Sequence, residues 1–204
     1  MIFAALAILA AYLIGAIPTA YIFGKVLKGI DVREYGSGNV GATNVFRTVG
    51  KGPGIAVLVL DFLKGIFAVT IIPVVLQKVG LDARADGSLV ILLLGAAAIA
   101  GHIWTVFLKF KGGKGVATTA GVMAGLSPVI FLSCFGVWVI IFALWRYVSL
   151  ASIVAAVTLP VFAVLTGQDI NIILFCAVLC MVGVYSHKSN IKRLLQREER
   201  KIIK

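Results

Sequence analysis

The sequence predicts an all-α integral membrane protein of seven transmembrane helices, with the N-terminus outside and the C-terminus cytoplasmic. Three observations carry that prediction. The chain is 61% hydrophobic and 13% charged, with a mean hydropathy of +1.08. Soluble domains run at about 45–50% apolar and about 25% charged, so too little polar sequence remains here to cover a water-facing surface. Apolar runs approaching the ~20 residues needed to cross a bilayer recur along the whole chain. Finally, sixteen of the nineteen Lys and Arg residues fall in alternate loops and in the tail, which the positive-inside rule assigns to the cytoplasm.

The elements follow in order. The first span is predicted over 2–24. Its apolar run has no basic segment ahead of it and outlasts the apolar region of a signal peptide, so it reads as a span and not a leader. A long loop with Lys25, Lys28, Arg33, Arg47 and Lys51 leads to the second span, 53–77. The short outer connection holds Lys78 and Arg84, and the third span covers 88–107. Lys109, Lys111 and Lys114 precede a short, Gly-rich fourth span, 115–127. Ser127-Pro128 turns the chain into the fifth, 128–145, and Arg146 separates it from the sixth, 148–167. Gly167-Gln168-Asp169 leads into the seventh, 170–186, and a basic tail occupies 187–204. Opposite sides for the two termini require an odd number of spans, which keeps the short fourth one. The whole of 1–204 reads as one transmembrane domain.

The net charge of +11 would suggest nucleic acid in a soluble protein. Here it orients the bundle and sets the tail against anionic headgroups, so membrane lipid is the expected partner and nucleic acid is not. Cys134, Cys176 and Cys180 lie inside apolar runs without further ligands nearby and read as packing residues, so no metal is expected.

Two cytoplasmic motifs carry chemistry. The first runs Gly36-Ser37-Gly38-Asn39-Val40-Gly41-Ala42-Thr43-Asn44-Val45-Phe46-Arg47. It contains G-x-G-x-x-G, but no strand precedes it and no βαβ unit surrounds it, which excludes a dinucleotide fold. Glycines 38 and 41 permit close backbone approach to an anion, Asn39, Thr43 and Asn44 offer hydrogen bonds, and Arg47 adds a forked cation suited to phosphate. The second runs Lys111-Gly112-Gly113-Lys114-Gly115 and opens a helix, where free N–H groups and the helix dipole favour an anion. Its spacing is not that of a Walker A loop. Anchoring to lipid would use the lysines but has no need of Gly112, Gly113 and Gly115.

Weaker signals share that membrane side. Ser149 and Ser152 open the sixth span, and His187 and Asn190 close the seventh, three apart and on one face of a continued helix. Asp61 and Lys64 stand inside the second span, with Asp61 ~12 Å from its entry. They either pair structurally or line a cavity, and His102 either lines the same cavity or sits at the interface. Clustered carboxylates for a metal-dependent phosphotransferase are missing, and His102 is not followed by the Asp of a His-x-x-x-x-Asp acyltransferase motif.

The segments GSGNVGATNVFR, DFLKG, GH followed by FKGGKGVAT, SLAS and H-x-x-NI-x-RLL resemble, in order and across nearly the whole chain, the bacterial acyl-phosphate–glycerol-3-phosphate acyltransferases. The resemblance implies a seven-helix enzyme of the bacterial inner membrane with a cytoplasm-facing site. It implies acyl transfer from acyl phosphate to the 1-hydroxyl of glycerol 3-phosphate, giving lysophosphatidic acid and phosphate, without acyl-CoA or acyl-carrier protein as donor. No cofactor and no obligate protein partner is implied. Residues matching the family's phosphate pocket are Ser37, Arg47, Lys114, Ser152, His187 and Asn190. Trp104-Thr105 departs from the aromatic–proline pair common after the family's Gly-His.

The residue inventory agrees with that chemistry. Acyl phosphate is an activated anhydride, so no nucleophilic Ser or Cys is needed and none stands in a triad. The protein has to bind phosphate, orient the hydroxyl and stabilise developing charge. The proton has two candidate acceptors, an oxygen of the acyl phosphate and His187; the motifs hold no carboxylate to orient the His, which favours the substrate. The alternative reading is a transporter or channel for small phosphorylated anions, against which stand the short, weakly charged outer loops and the lack of an internal repeat.

Overall fold

The computed structural model describes residues 2–81 and 89–202, and among these every regular element is helical. Ser88, at the start of the third predicted span, Arg84 and Lys204 lie outside the described residues. The helices are α1 (Ile2–Ala16), α2 (Thr19–Lys28), α3 (Ala42–Thr48), α4 (Lys51–Lys78), α5 (Leu89–Ile103), α6 (Val116–Leu126), α7 (Pro128–Trp145), α8 (Val148–Leu165), α9 (Ile170–Ser186) and α10 (Lys188–Leu195). Five segments are long and apolar enough to cross a membrane: Ile2–Lys28, Lys51–Lys78, Leu89–Leu108, Pro128–Trp145 and Val148–Leu165. A sixth follows if α9 and α10, bent by 58° at their junction, count as one. The expected fourth span is the 11-residue α6, about 16 Å long and near half the hydrocarbon thickness. The chain divides into two compact units, Met1–Leu126 and Ser127–Lys204.

In the first unit the predicted first span is two helices. Pro18 offers no N–H, so α1 stops at Ala16 and α2 restarts at Thr19. Carbonyls at the break find side-chain donors: Thr105 Oγ1 donates to Ala16 O and Lys64 Nζ to Ile17 O, each at 2.5 Å. Bilayer hydrocarbon would leave such carbonyls unsatisfied at a cost of several kcal/mol each, about the cost of an orphaned polar group in lipid.

Small residues set how the helices of this unit approach. A Cβ on Gly15 would overlap the backbone of Ala98, and one on Gly101 the carbonyl of Tyr12, so α1 and α5 touch backbone to backbone. Gly65 and Gly121 do the same for α4 and α6, against Thr118 and Phe62. This is how membrane helices gain packing contacts, because the lipid around them is as apolar as their own side chains. Ala7 and Ala11 of α1, Ala68, Ile72 and Leu76 of α4, and Leu94 and Ala98 of α5 form the central core. A second cluster, with Val32, Val40, Val45, Val49, Val57 and Leu108, seats the loops that carry the two motifs.

In the second unit α8 packs against both α7 and α9. Phe131, Phe135, Trp138 and Phe142 stack in sequence along α7, with ring centroids 5.8, 6.4 and 5.0 Å apart. Asp169, read from the sequence as part of a turn, caps α9 by accepting from the N–H groups of Asn171 and Ile172. The three cysteines are free thiols: Cys134 and Cys176 are buried and Cys180 is half-buried, which agrees with a packing role. Large apolar side chains such as Leu132, Leu144, Leu165 and Met181 point outward, as they must where lipid replaces water.

Candidate active site

The first motif is a folded loop, not a loose polar one. Gly36 and Gly38 take positive φ (64° and 69°) and coil the chain back upon α3. Asn44, 1% exposed, pins that coil. Its Nδ2 donates to Val32 O (2.8 Å) and Tyr35 O (3.1 Å), while its Oδ1 accepts from the Ser37 N–H (3.0 Å). These three bonds hold the amide to its own loop, so Asn44 shapes the site. Ser37 and Gly38 are left exposed, and Asn39, Gly41, Thr43 and Arg47 are half-buried around α3. Arg33 is committed elsewhere: its guanidinium pairs with Asp31 at 2.6 Å and lies over the Tyr21 ring. That side-chain hydrogen bond holds the Asp31 carboxyl below its usual range and pushes Arg33 up.

The second motif is anchored by its backbone. Gly112 N–H donates to Ile103 O and Gly113 N–H to His102 O, both at 3.0 Å, finishing the C-terminus of α5. These two N–H groups are thus occupied within the chain. Their glycine identity serves contact: a Cβ on Gly112 would overlap the His102 carbonyl, and one on Gly113 the His102 ring and, at 2.7 Å, the Val40 carbonyl. Gly113 therefore brings the second motif directly against the first. Gly115 turns into α6 with φ 81°, and Lys114 stands half-buried just before it, while Lys111 is exposed. Thr105 shows why proline is dispensable here. Its Oγ1 caps the short 3-10 turn Val106–Leu108 by accepting from the Phe107 N–H (3.3 Å), and it donates to Ala16 O, which proline could not do.

Asp61, Lys64 and His102 come together within the same unit. Lys64 Nζ donates to Asp61 Oδ1 at 2.7 Å, Thr19 Oγ1 donates to the same oxygen at 2.5 Å, and His102 Nδ1 stands 3.7 Å from it. The pair is thus structural at the Pro18 break and also continues toward the second motif.

The second unit gathers its own polar residues. Ser152 Oγ donates to Val148 O (2.8 Å) and accepts from Trp138 Nε1 (3.1 Å). His187 is 2% exposed and sits at the bend itself, so the expected helical continuation to Asn190 is interrupted, although both residues are buried. Its Nδ1 lies 2.8 Å from the Gly183 carbonyl. A carbonyl can only accept, so in the neutral ring Nδ1 carries the proton and Nε2 the lone pair. A backbone oxygen thus does the orienting for which no carboxylate was found in the motifs.

Glu199 is the residue that sequence reasoning missed. Its carboxylate accepts from Ser149 Oγ (2.8 Å), Asn190 Nδ2 (2.7 Å) and Arg193 Nε (2.7 Å). Burial works to raise this carboxyl, but those three donors outweigh it and hold the group below its ordinary value. Ser149 and Asn190 therefore face Glu199. The signal in the sequence is the acidic pair Glu198-Glu199 in a tail that is otherwise basic. Among the described residues no group of three His, Cys, Asp or Glu side chains is placed to hold a metal ion.

This arrangement of basic, glycine-shaped loops on apolar helices has known counterparts. Residues 5–197 match the family model for glycerol-3-phosphate acyltransferase, spanning both units. The chain is 47% identical over 188 residues to a glycerol-3-phosphate acyltransferase of Desulforudis audaxviator, covering 92% of this chain and 90% of that one. It is 44% identical to one of Desulforamulus reducens, covering 96% and 93%. The crystal structure of PlsY (YgiH), an integral membrane glycerol 3-phosphate acyltransferase, in its glycerol 3-phosphate form is similar with a TM-score of 0.87 and 42% identity over 97% of this chain and 94% of that one. Its lysophosphatidic acid form is similar at a TM-score of 0.84 and 41% identity, again over 97% and 94%. These matches displace the transporter alternative: the chain belongs to the glycerol-3-phosphate acyltransferase family of integral membrane enzymes.

Proposed function

We propose that this acyltransferase takes its acyl group from acyl phosphate and delivers it to the 1-hydroxyl of glycerol 3-phosphate, releasing lysophosphatidic acid and phosphate. The observation that carries the reading is the contact of Gly113 with the Val40 carbonyl. It joins two basic, glycine-rich segments far apart in sequence, and a reaction with two phosphate-bearing substrates asks for cations gathered in this way. Arg47 and Lys114 hold phosphate. Ser37 contributes a hydroxyl, with Gly38, Asn39, Gly41, Thr43, Lys111 and Gly115 around it. In the second unit Ser152, His187 and Asn190 take part in the reaction, with Ser149 and Glu199 holding Asn190 in place.

An acyl phosphate carries its own leaving group, so attack by the glycerol hydroxyl needs no acyl-enzyme. The hydroxyl oxygen bonds to the carbonyl carbon to give a tetrahedral oxyanion, whose collapse breaks the C–O bond to phosphate, and a phosphate oxygen of the leaving group accepts the hydroxyl proton. Donors around the carbonyl stabilise the tetrahedral oxyanion, a contribution of about 3–4 kcal/mol per well-placed donor. His187, with Nε2 as its lone-pair nitrogen, accepts a hydrogen bond in this scheme and is not the obligatory base.

We place the enzyme in the bacterial inner membrane as a seven-span bundle, N-terminus outside and C-terminus cytoplasmic. The sixteen basic residues on one side support that orientation. The test is phosphate release from acyl phosphate by the purified protein in lipid, with and without glycerol 3-phosphate. Acceptor-dependent release with formation of lysophosphatidic acid is expected. Transfer from acyl-CoA but none from acyl phosphate would sink the donor assignment. His187→Ala keeping most of its turnover is expected if the substrate takes the proton; a large loss of turnover together with an abolished acidic limb in the rate profile would make the histidine the base.

A further inference from the structure

His102 sits at a junction that the reaction scheme leaves unused. One side of its ring faces a fixed anion: Asp61 Oδ1, 3.7 Å from Nδ1, is itself held by the Thr19 hydroxyl at 2.5 Å and the Lys64 ammonium at 2.7 Å. Lys64 is tied in turn to the Ile17 carbonyl at the break in the first span. The three side chains are almost wholly inside the protein, with side-chain exposures of 9% for His102, 2% for Asp61 and 8% for Lys64. The other side of the ring, Nε2, occupies the space that a Cβ on Gly113 would need. The Val40 carbonyl lies on that same side, 2.7 Å from the position of such a Cβ, so the His102 ring and the first motif meet on one face of Gly113. The backbone of His102 works on the same residue, since its carbonyl accepts the Gly113 N–H at 3.0 Å.

We infer that His102 is a positioning residue for the reaction: its ring, oriented by Asp61 and Lys64, sets Gly113 against the Val40 carbonyl and so fixes where Lys114 stands. The inference rests on the reading of Lys114 as a phosphate-binding cation. The physics is that of a stop, not of a ligand. The two glycines ahead of Lys114 give its backbone wide conformational freedom, and phosphate binding by a point charge depends on where the ammonium is held. The ring and the Val40 carbonyl together leave room for nothing larger than glycine on that face, and so restrain the loop just before Lys114. Asp61, held by Lys64 and Thr19, closes off the Nδ1 side of the ring at 3.7 Å, and the ion pair itself resists change because removing either partner leaves the other as an unpaired charge inside the protein.

A plain core histidine would predict the same loss of function only through loss of folding, so the test separates the two. His102→Ala, His102→Gln and His102→Phe are purified in lipid or detergent, their thermal midpoints recorded, and kcat and KM for each substrate measured. Each variant is made in the wild-type chain and in Lys114→Arg, which keeps a cation but places it differently. His102→Ala should lose tenfold or more in kcat/KM with a midpoint within a few degrees of wild type. His102→Gln, which keeps a polar side chain between Asp61 and Gly113, should recover part of that loss. In the Lys114→Arg background the same His102→Ala change should cost several-fold less, because the group it positions is already displaced. Folded His102→Ala with wild-type kcat/KM overturns the inference, and so does an equal fold-loss in both backgrounds. Should His102→Ala fail to fold, His102→Phe and His102→Gln carry the test by the same criteria. Lys114→Ala with wild-type turnover would instead overturn the phosphate reading beneath it, an outcome visible without any His102 variant.

Discussion

Both units use side-chain bonds, such as those of Asn44 and Glu199, but they differ in what brings their polar segments together. In the first, placement is a matter of backbone: Gly112 and Gly113 press upon α5, Gly54 upon Phe46, and Gly65 and Gly121 bring α4 and α6 together. In the second, placement is a matter of side chains, with one carboxylate, Glu199, collecting Ser149, Asn190 and Arg193. The lesson is about vulnerability. A site built from close backbone contacts fails when a methyl is added. A site built on a carboxylate fails when a charge is removed or neutralised.

The largest effects belong to the cations themselves. Arg47→Ala and Lys114→Ala should each lower kcat/KM by about 10²–10³, the scale of losing a donor to developing charge. Mild losses, measured by acceptor-dependent phosphate release, would contradict their assignment. Next comes the backbone test. Gly121→Ala puts a methyl onto the Phe62 carbonyl and should cost about 1–3 kcal/mol or more in overpacking, read as lost folded yield or a lower thermal midpoint. Gly183→Ala is the matching change in the second unit. Its Cβ would meet the Ala156 methyl at 3.1 Å, a side chain on a neighbouring helix and not backbone, so the loss should be clearly smaller. Equal losses at Gly121 and Gly183 would erase the distinction between the units.

The carboxylate test runs the other way. Glu199→Ala leaves three donors without their acceptor and should cost about tenfold in kcat/KM, roughly the worth of a charged hydrogen bond. Its pH signature has a fixed sign. The Glu199 carboxyl lies below its ordinary value of 4.5 in the folded protein, so its contribution is complete above that value. The contribution fades as pH falls through the depressed folded value. Wild type should therefore lose stability more steeply on acidification than Glu199→Gln, measured by thermal midpoint between neutral pH and about pH 3. Parallel curves would mean that Glu199 does not hold the tail.

What was legible in the sequence follows the same division. Apolar runs, the loops that separate them and the two glycine-rich motifs were readable because lipid imposes length and charge rules on each segment locally. The expected first span, 2–24, ran straight through Pro18, where the structure breaks it, since hydropathy ignores a missing N–H. Hidden in the sequence were the bonds by which Asn44 staples its own loop and by which the Gly112 and Gly113 N–H groups finish α5. In each case the deciding partner, Val32 O or His102 O, is a backbone atom that carries no mark in the sequence. Glu199 was hidden for the converse reason: its partners Ser149 and Asn190 lie 50 and 9 residues away, and the chain must reverse to bring them together.

That reversal offers the smallest and most exacting test of the comparison. After α10 the chain turns at Arg197, which adopts φ 60°, and the Arg197 and Glu198 N–H groups return to Leu194 O (3.1 Å) and Arg193 O (2.8 Å). This is the left-handed ending that helices usually give to glycine. A side chain with a Cβ costs about 1–2 kcal/mol in that conformation. Glycine would lose about 0.4–1 kcal/mol more backbone entropy on folding, so the two terms oppose each other. The strain term is the larger, and Arg197→Gly should stabilise the protein by about 0.5–1 kcal/mol, the difference of those ranges. Because Arg197 is exposed and the turn only delivers Glu199, kcat should not change. A lower thermal midpoint in Arg197→Gly would mean that the arginine side chain itself contributes to holding the tail, and the second unit would then depend on more than its one carboxylate. A higher midpoint that disappears in the Glu199→Ala background would locate the gain in the return of the tail, where side-chain placement ends and backbone placement takes over.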